Sequence, residues 1–330
     1  MSVSSVDAGL AQGRKGRPGR RSLSRRAKLS LVAVFGVLVV ALALGLGLGL
    51  GLNRGGHGEY DSPTPHPPPT AIWQPAVGST WQIILSQQLE IDNSHPAVTP
   101  DVDVFDIDMF LHQNTSVVDN LHNLGKKVIC YFSGGSYEPY RPDSYRFQES
   151  DMGDVLDGWP DEKWLNISSP SIRKIMADRV DIAINMGCDA IDPDNMDGHL
   201  NKNGLGLTTD DSIEFLKFLA DRAKTKKMGI GLKNAPDIIP DVLDFVQFSV
   251  NEQCAEQDGC QDFSAFIKAG KPVFHIEYPS GAGKKIAAAA SKGSCTAKGM
   301  SGFSTVMKAD SLDSWVEYCD GKTASTNVVS

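Results

Sequence analysis

Gly187-Cys188-Asp189-Ala190-Ile191-Asp192-Pro193-Asp194-Asn195-Met196-Asp197-Gly198 leaves a helix stop, passes through a short apolar stretch and ends in a cluster of carboxylates. An apolar strand that meets solvent in acids is typical of parallel β/α proteins, whose chemistry stands at the carboxyl ends of the strands. Asp192 and Asp194 share side-chain parity at strand spacing, so both are expected to face one cleft. Two acids so close push one pKa upward, a split that suits acid–base work.

Working outward, apolar runs of strand length alternate with amphipathic runs of helix length, the pattern of a parallel β/α protein. The expected strands are Trp81–Leu85, Val102–Ile107, Lys127–Phe132, Asp189–Ile191, Met228–Leu232, Phe245–Val250, Pro272–Ile276 and Gly302–Val306. The expected helices are Ser116–Leu124, Pro170–Met186, Asp210–Lys226, Pro236–Asp244, Phe263–Ala269, Lys284–Ser291 and Ser311–Tyr318. Eight strands, each followed by a helix or long loop, suggest a (β/α)8 TIM-like barrel over 73–322, with 323–330 as a C-terminal tail. An open doubly wound sheet is the alternative, but no G-x-G-x-x-G turn follows the first strand.

The N-terminal part has a different composition. Residues 1–28 carry eight basic side chains against Asp7, a tail of +7, which leaves −15 of the overall −8 for the rest of the chain. Residues 29–52 contain no charged side chain, and 24 residues are enough to cross a hydrocarbon layer about 30 Å thick. With the basic block on the N-terminal side, the layout is a single-pass type II signal anchor with a cytosolic tail and an extracellular catalytic domain. The competing reading is secretion after cleavage of a signal peptide, although no A-x-A site follows. Residues 53–72, rich in Gly and Pro, form the expected stalk.

Six cysteines suit an exported protein. Cys254 with Cys260 and Cys295 with Cys319 are the expected bridges, while Cys130 and Cys188, both in apolar runs, form either a third bridge or two buried thiols. Asn114 and Asn166 head glycosylation sequons. Neither C-x-x-C nor paired-His spacing supports zinc, so no metal or other cofactor is expected. The acidic main body argues against nucleic acid and fits a cationic partner.

Four expected strand ends carry acids: Asp106 and Asp108, Asp192 and Asp194, Glu252, and Glu277. Each has a bland reading beside the functional one. Asp106 and Asp108 serve structural hydrogen bonds as readily as substrate, and Glu277 fits an inward pairing with Lys233. Two carboxylates from different strands are what glycosidic bond cleavage needs, one to protonate the leaving oxygen and one to attack or stabilise the anomeric carbon. Tyr131, Tyr137, Tyr140, Trp159, Trp164 and Tyr278 are candidates for stacking on sugar faces, each with a packing role as its ordinary alternative. Serine hydrolysis lacks a G-x-S-x-G elbow. A metal-dependent phosphodiesterase fits the Asp-x-Asp pairs but has no phosphate-binding glycine loop, and a non-catalytic cell-wall carbohydrate-binding protein fits the same barrel.

The ordered motifs WQIIL, VDVFDID, KKVICYFSGGSYEPYRPD, LDGWPDEKWLNI, GCDAIDPDNMDG, GIGLKNAPD, FSVNEQC and VFHIEY resemble those of glycoside hydrolase family 114, the endo-α-1,4-polygalactosaminidases. The resemblance spans residues 73–306 and implies a TIM-like barrel acting within α-1,4-linked galactosamine-containing polymers such as galactosaminogalactan. By motif it implies a catalytic pair at Asp194, in IDPDN, and Glu252, in VNEQ. Asp194 is then nucleophile or charge stabiliser and Glu252 general acid, or the reverse. Asp106, Asp108, Tyr137, Asp192, Asn195, Glu277 and Tyr278 are the expected substrate-binding or supporting residues.

Overall fold

The computed structural model describes residues 70–330; the basic tail, the apolar span and the stalk up to residue 69 lie outside the described residues. Among the described residues no helix is long and apolar enough to cross a membrane.

In chain order the strands are β1 (Trp81–Ile84), β2 (Val104–Asp108), β3 (Lys127–Ser133), β4 (Ser136–Tyr137), β5 (Met152–Leu156), β6 (Trp159–Leu165) and β7 (Ala190–Asp194). They continue with β8 (Gly229–Lys233), β9 (Phe248–Glu252), β10 (Val273–Glu277), β11 (Ser304–Met307), β12 (Trp315–Tyr318) and β13 (Thr323–Ser325). A parallel ladder runs β1-β2-β3-β7-β8-β9-β10-β11, so the eight expected strands are present, and β12 and β13 add to its end antiparallel. Side chains join β11 to β1: Trp81 Nε1 donates to Ser304 O at 2.7 Å and Ser304 Oγ donates to Ser79 O at 2.7 Å. The result is a curled, mostly parallel sheet of TIM-like α/β type.

Period-two alternation divides the core. Trp81, Val104, Ile129, Phe248, Phe274 and Val306 fill the inside of the curl, while Phe105, Val128, Cys130, Ile191 and Ile230 pack outward against the helices. The largest helix among the described residues, Pro170–Met186, starts with proline in its first turn and ends at Gly187 in the left-handed conformation (φ 84°), a position that favours glycine. It buries Ile172, Ile175, Met176, Val180 and Ala183 on one stripe. Thr208 and Asp211 form a capping box for the helix Thr209–Lys224. β7 runs past its expected end through Pro193, because its ladder to β8 stops at Ile191 and no donor is needed there.

Several expectations are corrected. Ser311–Tyr318 is not a helix: Asp313 Oδ1 accepts from Trp315 N, and the β-forming Trp315-Val316-Glu317-Tyr318 pairs with β11 and β13. Residues 323–330 are built into the fold through β13, a Leu89–Val328 bridge and a bond from Val329 N to Gln88 O at 2.9 Å. The helix expected at Lys284–Ser291 lies at Ala288–Thr296, after a glycine turn at Gly281 and Gly283. Pro236–Asp244 divides into a 3-10 turn (Pro236–Ile238) and a short helix (Ile239–Val242). The sheet β4-β6-β5, standing between β3 and the helix Pro170–Met186, has no counterpart among the expected elements. Three disulfides are formed, Cys130–Cys188, Cys254–Cys260 and Cys295–Cys319.

Candidate active site

Inward parity carries a set of polar side chains to the carboxyl end of the curl. Asp106 follows Val104 on β2, Tyr131 follows Ile129 on β3, Asp192 and Asp194 follow Ala190 on β7, and Glu252 follows Val250 on β9. Lys233 on β8 follows Gly231, whose missing side chain leaves the space taken by the Phe248 ring; a Cβ there would stand 2.3 Å from that ring.

Lys233 joins the two most accessible acids. Its Nζ lies 3.1 Å from Asp194 Oδ1 and 3.2 Å from Glu252 Oε2, with the lysine 1% exposed and the carboxylates 18% and 23%. Tyr131 OH donates to Asp194 Oδ2 at 2.8 Å and Asn195 N donates to Asp194 Oδ1 at 2.7 Å. Tyr278 OH donates to Glu252 Oε1, and Asn234 Nδ2 reaches Glu252 Oε2 at 3.4 Å. Burial, and then the Asp194 charge for Tyr131 and the Glu252 charge for Tyr278, hold both phenols well above their ordinary range, so they remain donors.

Beneath this group Asp106 and Asp192 are fully buried, and none of their four carboxylate oxygens has a hydrogen-bond partner. Burial, with Lys233 opposing and Asp194 adding to it, raises Asp192 to about 7. Burial and the neighbouring Asp192 raise Asp106 well above the carboxylate range. The two accessible carboxylates thus meet the lysine directly, while burial shifts the two floor acids toward their protonated forms.

The loop after β3 closes one side. Gly134 N and Gly135 N both donate to Asp194 O, at 2.9 and 3.0 Å, and a Cβ on Gly135 would meet Asn195 O at 1.9 Å. Asn195 Nδ2 donates to Ser133 Oγ at 3.0 Å, and Ser136 Oγ donates to Glu162 Oε2 at 2.7 Å. Burial raises Glu162. Arg141 grips Glu138 through two bonds of 2.8 and 2.7 Å and Asp108 at 2.6 Å, and Arg179 holds Asp143 at 2.8 Å and Ser133 O at 2.7 Å.

Of the expected residues, Asp194, Glu252, Asp192, Asp106, Asn195 and Tyr278 converge. Three do not. Asp108 caps the helix Met109–His112 and pairs with Arg141, a structural role. Tyr137 packs edge-on against Phe147 at 5.6 Å. Glu277 has outward parity and bonds His275 Nε2 and Ala255 N, each at 2.8 Å, so it meets neither Lys233 nor the cleft. Lys233 emerges as the centre of the site although its motif, GIGLKN, shows only an ordinary strand end. Glu162 was hidden in the unforeseen sheet. Among the described residues, Cys254, Cys260 and His275 converge as a metal trio would, but both sulfurs are already in a disulfide. A cavity of about 850 Å³ lies at the other end of the strands, lined by Thr80, Val102, Met300, Phe303 and Tyr318, and holds none of these carboxylates.

The model of glycoside-hydrolase family GH114 matches residues 62–324. The crystal structure of Aspergillus fumigatus Ega3 in complex with galactosamine is 50% identical, covers 76% of this chain and 99% of that one, and superposes with a TM-score of 0.71. The glycoside hydrolase domain of PelA from Pseudomonas aeruginosa, 12% identical over 71% of this chain and 96% of that one, has a TM-score of 0.52 and shares the fold. A comparison with curated protein sequences gives no significant match.

Proposed function

The chain belongs to glycoside-hydrolase family GH114 and is a glycoside hydrolase, and from that premise we propose that it cleaves within α-1,4-linked galactosamine-containing polysaccharide of galactosaminogalactan type, using Asp194 and Glu252. The observation that carries the site assignment is the Asp194–Lys233–Glu252 bridge: two accessible carboxylates from different strand ends, held toward one space by a buried cation. Ega3, in complex with galactosamine, supports the substrate class. Deacetylated galactosamine units are ammonium ions near neutral pH, and the −15 carried beyond residue 28 favours their approach.

The spacing supports retention of anomeric configuration. Retaining enzymes hold their carboxyl groups about 5–5.5 Å apart and inverting enzymes about 6.5–9.5 Å. Because Lys233 Nζ touches both, the facing oxygens Asp194 Oδ1 and Glu252 Oε2 stand at most 3.1 plus 3.2 Å, or 6.3 Å, apart; this limits that one oxygen pair, and from its closeness we infer the retaining arrangement. Asp194, the less exposed of the two, is suited to attack the anomeric carbon. Glu252, more open to solvent, is suited to protonate the leaving oxygen and then activate water.

The test is release of reducing ends from deacetylated galactosamine polymer by wild type, Asp194→Asn and Glu252→Gln, with the first-formed anomer read by NMR. A loss on the order of 10³-fold or more in each variant is expected. A folded wild-type protein that binds the polymer and releases nothing would instead favour the carbohydrate-binding reading, and a β-anomer formed first would remove retention.

We place the enzyme on the cell membrane through the apolar span 29–52, with the catalytic domain outside. Protease accessibility of the catalytic domain on intact cells, with the protein in the membrane fraction, checks this. Recovery of the protein from the medium, beginning beyond residue 52, would support secretion instead.

A further inference from the structure

Lys233 is a fully buried cation facing more acids than it can neutralise. Asp106 from β2, Asp192 and Asp194 from β7 and Glu252 from β9 surround it, with the Tyr131 ring 5.6 Å away and Tyr278 beyond Glu252. Burial alone would discharge the lysine, but Asp194, Glu252 and Asp192 outweigh it and keep the ammonium charged well above the ordinary lysine range. Only Asp194 and Glu252 touch its Nζ, while Asp106 and Asp192 lack any hydrogen-bond partner. One charge thus contacts both the nucleophile and the group that must switch from acid to base in a retaining reaction.

We propose that Lys233 is a positioning residue whose charge is shared by Asp194 and Glu252 in the free enzyme and passes to Glu252 alone once Asp194 is esterified, so that it times the transfer of the Glu252 proton. This rests on the assignment of Asp194 and Glu252 as the reacting pair. In the first half-reaction an Asp194 oxygen bonds to the anomeric carbon, the bond to the leaving oxygen breaks, and the Glu252 proton goes to that oxygen. Asp194 is now a neutral ester, and Lys233 faces one anion. The undivided charge holds Glu252 as carboxylate, ready to take a proton from the attacking water. As water bonds to the anomeric carbon, the ester bond breaks, Asp194 regains its charge and reclaims its share of the lysine. Glu252 then keeps the proton it has received, and the cycle closes.

The lysine can serve both acids because the backbone fixes all three. Each reactive strand end is followed by a residue in the left-handed region, Asn195 (φ 62°) after Asp194, Asn234 (φ 51°) after Lys233 and Gln253 (φ 59°) after Glu252. Asn234 also ties two of these ends together, its Oδ1 accepting from Glu252 N at 2.9 Å. Non-glycine residues in this region are strained and cluster at functional sites.

The experiment is the pH dependence of kcat/KM on deacetylated galactosamine polymer for wild type, Lys233→Met and Lys233→Arg. Removing a cation in contact with a carboxylate favours its protonated form by about 1–3 pH units. In Lys233→Met both limbs of the bell should therefore move to higher pH by about that amount, and Lys233→Arg should return most of the shift at reduced height. A Lys233→Met profile that is lower at every pH with its limbs unmoved would overturn the proposal. If Lys233→Met is unfolded at neutral pH, circular dichroism should show it folding at about pH 4, where protonated carboxylates no longer need the cation; a protein unfolded at both would also overturn it. Activity that survives in Asp194→Asn and Glu252→Gln would instead remove the pair assignment, whatever the lysine variants do.

Discussion

Replacing Asp192 by asparagine should stabilise the protein, and by an amount that grows with pH. The carboxyl is fully buried with no hydrogen-bond partner, and it ionises at about 7 in the folded protein against 3.8 in an ordinary setting. The folded state therefore holds this proton more tightly than the unfolded chain. Below about pH 4 both states are protonated and the group costs nothing electrostatically. As pH rises from about 4 to 7 the unfolded chain ionises freely, the folded protein does not, and stability is lost; above 7 the loss is constant. At about 1.4 kcal/mol per unit, the gap between 3.8 and about 7 corresponds to about 4 kcal/mol. Asparagine has nearly the same shape and no such titration. Its amide has no evident partner either, an offset of about 1–3 kcal/mol that does not vary with pH. Urea denaturation of wild type and Asp192→Asn at about pH 4, 6 and 8 separates the two effects, because only the electrostatic one changes. The expected result is a difference moving by about 4 kcal/mol in favour of the variant between the extremes. A difference flat to within about 1 kcal/mol, or one that moves toward the wild type, would refute the idea of a protonated floor.

Lys308 is the basic counterpart: burial lowers it to about 7, and it bonds only the neutral oxygens of Gln82 and Asp313 O, at 3.1 and 2.7 Å. Its stability cost grows as pH falls from about 10.5 to 7 and is constant below, so Lys308→Met should gain on wild type over that fall by at most about 5 kcal/mol in denaturant melts; an unchanging difference would contradict this. Cys130–Cys188 spans 58 residues and Cys254–Cys260 spans 6, so loop-closure entropy predicts losses of about 4 and about 2 kcal/mol for the paired alanine variants, with equal losses arguing against the entropic account. Gly135→Ala should lower kcat/KM more than 10-fold and also lower the melting temperature, because the clash falls on the Asn195 backbone beside Asp194; unchanged activity and melting would show that the loop can move aside. Activity on deacetylated polymer should fall with ionic strength and activity on acetylated polymer should not, and equal insensitivity of both would remove the electrostatic account of substrate choice.

The sequence makes the strands legible because their physics is local: Ile-Asp-Pro-Asp or Val-Phe-Asp-Ile-Asp places apolar and polar groups on opposite faces by period two alone. The same rule errs where it stops counting. Glu277 follows an apolar run like Glu252, but β10 and β9 are in register at Val273 and Ser249, which puts Glu277 one step out of phase and aims it at His275. The sheet β4-β6-β5 was invisible because β6, Trp159–Leu165, mixes charged residues and a proline with no clean alternation, and its order comes from Ser136, Glu162 and Tyr140 meeting across distant segments. Trp315–Tyr318 reads as helical from local sequence because length and flanking residues do not settle it, whereas pairing with β11 does.

Lys233 illustrates a different limit. Alone in a sequence, a lysine at a strand end is a solvated residue, and its meaning depends on what the curl of the sheet brings opposite. Here β7 and β9 flank β8, so their inward ends necessarily face the lysine, and an inside lined by Val250, Phe248 and Ile129 leaves it no water to prefer. In such a medium one cation cannot balance four ionised acids. The acids divide by depth: burial pushes Asp106 and Asp192 toward their protonated forms, while Asp194 and Glu252, nearer solvent and each receiving a phenolic hydroxyl, make the direct contacts to the lysine. The floor and the reacting pair are thus one electrostatic unit. A change at the floor that forced a second ionised carboxylate toward Lys233 would draw the lysine from the pair above, so substitutions at Asp192 should be read in pH profiles as well as in stability.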